Sequence, residues 1–229
     1  MRRLFFFSIV GWMALTITSF TVQARVPDPR ETIKVHSQKS SATTIRRIKA
    51  LRKAREIFRK YLPEYIDSSV VTEPWWKTAV VGSDFDWRSP FYSSAIRYEL
   101  LAKIYEWLGT RYRYGGASRR GIDCSAFTKR IMQAVLSVNL PRVSRSQATA
   151  LVRIGEDSLQ FGDLIFFTGT NRKIRRVGHV GIYIGNGVFA HASTGRGVVF
   201  SHLSDGHYRK RFLFGGRILN AEIAGTFWN

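Results

Sequence analysis

The sequence predicts an α+β domain, with helices first and an antiparallel β-meander after them. Two observations carry that prediction. Apolar residues recur at three- and four-residue steps through 45–62 and again between Ser93 and Ser137, whereas beyond Leu164 the step shortens to two. A chain of 229 residues with 45% hydrophobic and 14% aromatic content can bury a sizeable core, which excludes a disordered polyelectrolyte.

The elements follow in chain order. Met1-Arg2-Arg3 precedes the apolar run Leu4 to Phe20, and Val22-Gln23-Ala24 puts small residues where a signal peptidase reads, so residues 1–24 read as a signal peptide. The alternative is an uncleaved anchor, but Thr16, Thr18, Ser19 and Thr21 dilute the stretch. The expected location is periplasmic or secreted, and with no cysteine after the apolar run the chain is expected not to be a lipoprotein. The single cysteine, Cys124, excludes an intramolecular disulfide and a Cys-rich zinc site. A formal charge of +20 suits an anionic partner. Export favours envelope polymers or lipid head groups over nucleic acid.

Residues 25–90 carry 14 basic and 8 acidic side chains and read as a basic N-terminal extension, distinct from a main domain over 91–229. Arg25 to Ser41 is a polar lead-in. Ile45, Ile48, Leu51, Ala54, Phe58 and Leu62 then form a helix stripe, with Thr43 or Thr44 as cap and Pro63 as stop. Its basic face reads as solvated with the helix packed on the domain, in preference to a membrane-surface helix. Glu73 to Ser89, with Trp75, Trp76 and Trp87, reads as irregular. A helix capped by Ser93 or Ser94 and ending near Gly109 follows, then a loop over 111–121. A second helix from Asp123 or Cys124 towards Ser137 buries Phe127, Ile131, Ala134, Val135 and Val138. Strands are expected at 164–167, 179–184, 188–192 and 198–203.

A nucleophilic cysteine works as thiolate, so its proton affinity must fall. Cys124 sits where a glycine-rich loop enters a helix, facing unsatisfied N–H groups and the positive dipole end, and a nearby imidazolium would help further. The competing reading is a small buried hydrophobe. Among five histidines, His36 and His207 read as exposed and His202 as a surface residue, while His179 and His191 flank a hairpin. A two-residue Asn186-Gly187 turn would put these two on opposite faces; a three-residue loop, Gly185 to Gly187, puts them on one face. Val180, Ile182, Ile184, Val188, Ala190 and Ala192 form a continuous apolar face only in the second register, which is therefore predicted. His179 is then the base for Cys124, His191 orients it, and the Cys124 N–H faces a developing oxyanion. Tyr112 either adds its hydroxyl there or stacks; spacing leaves both open.

The strings Tyr112-Arg-Tyr-Gly115-Gly116, Gly121-Ile-Asp-Cys124-Ser-Ala-Phe127, Leu140-Pro-Arg142, Gln147, Gly162-Asp163 and Gly178-His179 to Gly185, ending in His191-Ala-Ser, resemble the NlpC-type cell-wall cysteine peptidases. The resemblance implies a minimal papain-like fold and hydrolysis of amide bonds in peptidoglycan stem peptides or cross-links; no cofactor or metal is expected. It implies Cys124 as nucleophile, His179 as base and His191 as orienting residue. It also implies substrate contact by Asp123 and Ser125, and Arg142 and Gln147 lining the cleft or holding its wall; Asp163 reads as a turn support. Ala126 stands where many members have glycine, and Val143 replaces a commonly hydroxylated residue. The 168–177 loop, with Arg172, Lys173, Arg175 and Arg176, is either a basic grip or a solvated hairpin. A monomer is expected. Three alternatives remain: a silent wall-binding module of the same fold, an acyl or amide transferase using the same thiol, and a metal site, which lacks close ligand spacing.

Overall fold

The structure, a computed structural model, describes residues 42–63, 94–169 and 175–219. The signal peptide, the lead-in with His36, the tryptophans 75, 76 and 87, and the loop residues Arg172 and Lys173 lie outside the described residues.

Helix α1 spans Ala42–Tyr61 and stops before Pro63, whose ring cannot continue the ladder. Ala50, Ala54, Ile57, Phe58 and Leu62 are buried, whereas Ile45 is 45% exposed. The apolar stripe thus runs through Ile57 rather than Ile45, because the helix meets the domain over its later turns. There Phe58 packs edge-on against Phe200, with ring centroids 4.8 Å apart. Thr43 and Thr44 lie inside the first turn and are not caps. Both ends are fastened: Arg47 Nη1 donates to the Glu106 carbonyl at 3.1 Å, and Tyr61 stacks on His202 at 3.7 Å. Gly109 has φ +78, and a Cβ there would sit 2.5 Å from Arg47 Cα, so α1 lies directly on its backbone.

Helix α2, Ser94–Trp107, buries Leu100, Leu101 and Ile104; Ser94 is its first residue. A small ribbon, β1 (Ala117–Ser118) with β2 (Gly121–Ile122), leads into α3, Cys124–Leu136. In α3, Phe127, Ile131 and Met132 are buried, but Ala134 is exposed, since it falls on the outer side of the last turn. Ser137 closes the helix in a left-handed conformation, φ 58, its N–H bonded to Gln133 O. Helix α4, Ser144–Ala150, has no counterpart in the sequence reading.

Six strands follow: β3 (Val152–Ile154), β4 (Leu164–Thr168), β5 (Val177–Gly185), β6 (Val188–Ser193), β7 (Gly197–His202) and, after the one-turn helix α5 (Gly206–Arg209), β8 (Phe212–Arg217). Their order is β3-β8-β4-β5-β6-β7, all antiparallel. The meander therefore holds only for β4 to β7. Strand β8 returns to lie between β3 and β4, pairing Leu164 with Gly216 and Phe166 with Phe214. One sheet face, carrying Val180, Ile182, Ile184, Val188, Ala190 and Ala192, joins the helices in the main core, while Ile165, Phe167 and Phe189 pack on the other with Leu203 and Tyr208.

The β5–β6 hairpin combines the two registers considered. Ile182 pairs with Ala190 and Tyr183 with Phe189, as the three-residue loop requires. At the tip, however, Gly185 pairs with Val188, so the turn itself is the two-residue Asn186-Gly187, both at positive φ (46 and 76). A bulge at Ile184 reconciles them. Its cause is the core face: with Ile184 paired into the ladder, every side chain of β5 would swap faces, exposing Val180 and Ile182.

Candidate active site

The site is built around the start of α3. Asp123 is the N-cap, its backbone extended (φ −92, ψ 174), and its Oδ1 accepts from the Ala126 N–H at 2.8 Å. Oδ2 accepts from Gly115 N–H at 3.0 Å, tying the glycine loop to the helix start. The Arg142 guanidinium binds both carboxylate oxygens, at 3.0 and 2.7 Å, and reaches Ser125 Oγ at 3.2 Å. Ser125 Oγ itself donates to Asp123 Oδ1 at 3.2 Å.

Gln147 is fully buried and pins α4 to the same place. Its Nε2 donates to Ser125 O and Pro141 O, each at 2.9 Å, while its Oε1 accepts from Thr128 Oγ1 at 2.9 Å. Of the two roles expected of Gln147, lining the cleft or holding its wall, its full burial leaves the second. Asp123 and Ser125, each 6% exposed, commit their polar atoms to this internal network and so hold the nucleophile's turn. Arg142 keeps 41% of its side chain exposed and alone retains an outward face. Val143, where a hydroxyl was the common choice, is the N-cap residue of α4 and makes no side-chain cap bond. Asp163 supports its turn as expected, accepting from Gln160 N–H at 2.7 Å, and it also forms a buried bidentate pair with Arg217 at 2.9 and 2.8 Å.

Cys124 is buried, 6% exposed, and its sulfur is met by the backbone N–H of Val180, the residue after His179. That amide lies just beyond the last registered β5–β6 pair, Ile182 with Ala190. His179 and His191 share the other sheet face, as alternation predicts, with His179 Nε2 2.9 Å from His191 Nδ1. His191 Nε2 lies 3.0 Å from Ser201 Oγ and 3.2 Å from Tyr208 Oη. Arg196 Nη2 donates to both oxygens, at 3.2 and 2.9 Å, so the chain of polar contacts ends in a cation. Ser201, Tyr208 and Arg196 escaped the sequence reading. Only Ser201 had a signal, since it shares the odd-numbered side of β7 with Val199, the residue opposite His191. His207 is exposed, as expected. His202 is half-buried, held by Ser204, the Asn186 carbonyl and the Tyr61 ring.

The electrostatics correct one expectation. Burial pushes the Cys124 thiol up to about 11, and the bonds from Val180, Ser125 and its own N–H only moderate that rise. Burial, with His207 and Arg211 nearby, takes His179 down to about 4, and His191 lies well below its ordinary value through burial, His179 and Arg196. These shifts favour the neutral thiol and neutral imidazoles, against the direction in which the helix start acts. Tyr112, bridged to Ile122, is pushed up to about 12 by burial and by its neighbours Cys124 and Asp123, so its phenol stays a hydrogen-bond donor.

This arrangement puts the chain in the class of small α+β domains that set a cysteine-bearing helix end against a histidine-bearing strand. Residues 109–217 match the model of the NlpC/P60 family, and the chain belongs to that family. It is 43% identical over 120 residues to a probable endopeptidase NlpC homolog of Haemophilus influenzae, covering 52% of this chain and 62% of that protein. It is 35% identical over 126 residues to the murein DD-endopeptidase MepS/murein LD-carboxypeptidase of Escherichia coli K12, covering 55% and 64%. With the probable endopeptidase NlpC of the same organism it shares 43% over 117 residues, 51% of this chain and 74% of that one. The chain thus spans less than two thirds of the first two relatives. Among solved structures it is similar to an NlpC/P60 family protein of Bacillus cereus, with a TM-score of 0.50 at 33% identity over 54% of this chain and 40% of the other.

Proposed function

We propose that this protein is an exported cysteine endopeptidase that hydrolyses amide bonds in peptidoglycan stem peptides or cross-links. The observation that carries the reading is the sulfur of Cys124 held by the amide next to His179, whose far nitrogen is engaged by His191. The relatives support the substrate class: the Escherichia coli protein at 35% identity is a murein DD-endopeptidase by name.

The chemistry starts from neutral partners. As the sulfur attacks the carbonyl carbon, its proton passes to His179, and His191 takes the hydrogen bond from His179 Nε2–H. The oxyanion that develops accepts from the Cys124 N–H and from the Tyr112 hydroxyl, which its surroundings keep protonated. Collapse expels the amine, which takes the proton from His179 and leaves a thioester on Cys124. Water, deprotonated by His179, then releases the acid and restores the thiol. Asp123, Ser125, Arg142 and Gln147 are assigned to holding Cys124 at the mouth of α3. Digestion of purified muropeptides, read by mass spectrometry, tests the proposal. Cleavage by the wild type that disappears in Cys124→Ala and His179→Ala, both still folded, is expected; a Cys124→Ala protein that still cleaves refutes it.

A further inference from the structure

Helix α1 carries eight basic residues and a single acid, Glu56, and its apolar side is sealed against β7. Lys49, Arg52, Lys53, Arg55, Arg59 and Lys60 are all exposed on the opposite arc. They span about 16 Å at 1.5 Å per residue. Among the described residues Lys53 pairs with Glu56 at 3.2 Å and Lys60 sits over the Tyr61 ring at 4.9 Å. Like charges stand three or four residues apart at Lys49–Arg52, Arg52–Arg55 and Arg55–Arg59, a spacing that weakens a helix. The arrangement nonetheless sits on a helix fixed at both ends.

The cationic face also continues. Arg47 of α1 and Arg119 both donate to the Glu106 carbonyl, and Arg119, which stacks over Trp107 at 3.9 Å, also pairs with the exposed Glu106 carboxylate at 3.3 Å, the one acid at this junction among the described residues. Arg119 belongs to the 111–120 loop, which adds Arg111, Arg113 and Arg120, contains no acid, and runs straight into Asp123 and Cys124. One basic strip therefore extends from α1 to the segment that delivers the nucleophile.

We infer that this strip is a docking track for the free carboxylates of peptidoglycan, so that the wall polymer lies along α1 with a neighbouring stem in the site. The inference rests on the proposed substrate class. A lipid surface fits less well, because the side of α1 that would insert is already buried in the core, and a flat bilayer does not explain a track that leads to Cys124.

The test measures retention, not cleavage. Full-length Cys124→Ala protein, and wild type alkylated at Cys124, are pelleted with purified sacculi across a salt series. Binding should weaken steeply with salt, and the Arg52→Glu/Arg55→Glu/Arg59→Glu chain should bind roughly tenfold or more weakly with a shallower salt dependence. Sacculi whose carboxylates have been converted to amides should lose the wild-type chain equally, a readout independent of whether the triple variant folds. Undiminished retention by the variant, or undiminished retention on amidated sacculi, overturns the inference. So does preference for vesicles of anionic phospholipid over sacculi, which would assign the strip to a membrane. Because the chains are inert, failure of the peptidase reading would appear only in the muropeptide digest.

Discussion

Replacing Asp123 by alanine removes the group on which the start of α3 converges. The carboxylate accepts from Ala126 N–H, Gly115 N–H, Ser125 Oγ and two nitrogens of Arg142. Loss of the N-cap bond costs about 1 kcal/mol. Leaving the part-buried Gly115 N–H without its acceptor costs about 1 kcal/mol more. The Arg142 ion pair adds only about 1 kcal/mol, because 41% of that side chain is in water and the interaction is screened accordingly. Asp123→Ala should therefore lower the unfolding free energy by about 3 kcal/mol, a lower midpoint at unchanged slope in urea melts followed by tryptophan fluorescence. Arg142→Met should account for part of the same loss, so the double variant should be less destabilised than the two single effects predict, by about 1 kcal/mol. A loss below about 1 kcal/mol for Asp123→Ala, or strict additivity with Arg142→Met, would refute the network account.

Three further outcomes are expected. Gly109→Ala should cost at least about 2 kcal/mol and expose α1 to limited proteolysis, since alanine must adopt φ +78 and its Cβ would overlap the Arg47 backbone. Asp163→Ala should destabilise by about 3 kcal/mol, because the buried Arg217 loses its carboxylate and keeps its bond to the Ser158 carbonyl, yet leave the alkylation rate of Cys124 unchanged; a change in that rate would contradict the separation of the two networks. Because His179 and His191 are lowered in the fold relative to the unfolded chain, folding favours their neutral forms. Their contribution is complete above about pH 6.5 and is lost as pH falls towards 4. Urea melts at pH 7.5 and 5 should show that loss, and His191→Gln should shrink it.

The sequence carried the parts of this site that follow from local periodicity. Parity along Val180 to Ala192 put His179 and His191 on one face because six apolar side chains vote for a single register. The Asp-Cys step at a helix entrance was visible because the apolar period of α3 begins there. What stayed hidden depends on partners distant in the chain. The Asp163–Arg217 pair is 54 residues apart, and β8 reads weakly because Gly215 and Gly216 interrupt its apolar pattern while its position comes from pairing with β4. Helix α4, SRSQATA, has no apolar stripe and is held largely through Gln147. The thiol's direction of shift could not be read either, since burial, a tertiary property, outweighs the helix start.

The extra residue at Ile184 has a consequence for how this hairpin tolerates change. It works as a clutch between the ladder and its tip: the inner rungs stay engaged with the core while the outer turn is free to take another form. Residues 185–187 can then be rebuilt, or a residue added there, with the imidazoles undisturbed. Deleting Ile184 would likewise leave Gly185 opposite Val188 and Tyr183 opposite Phe189, straightening the strand while His179 keeps its side of the sheet.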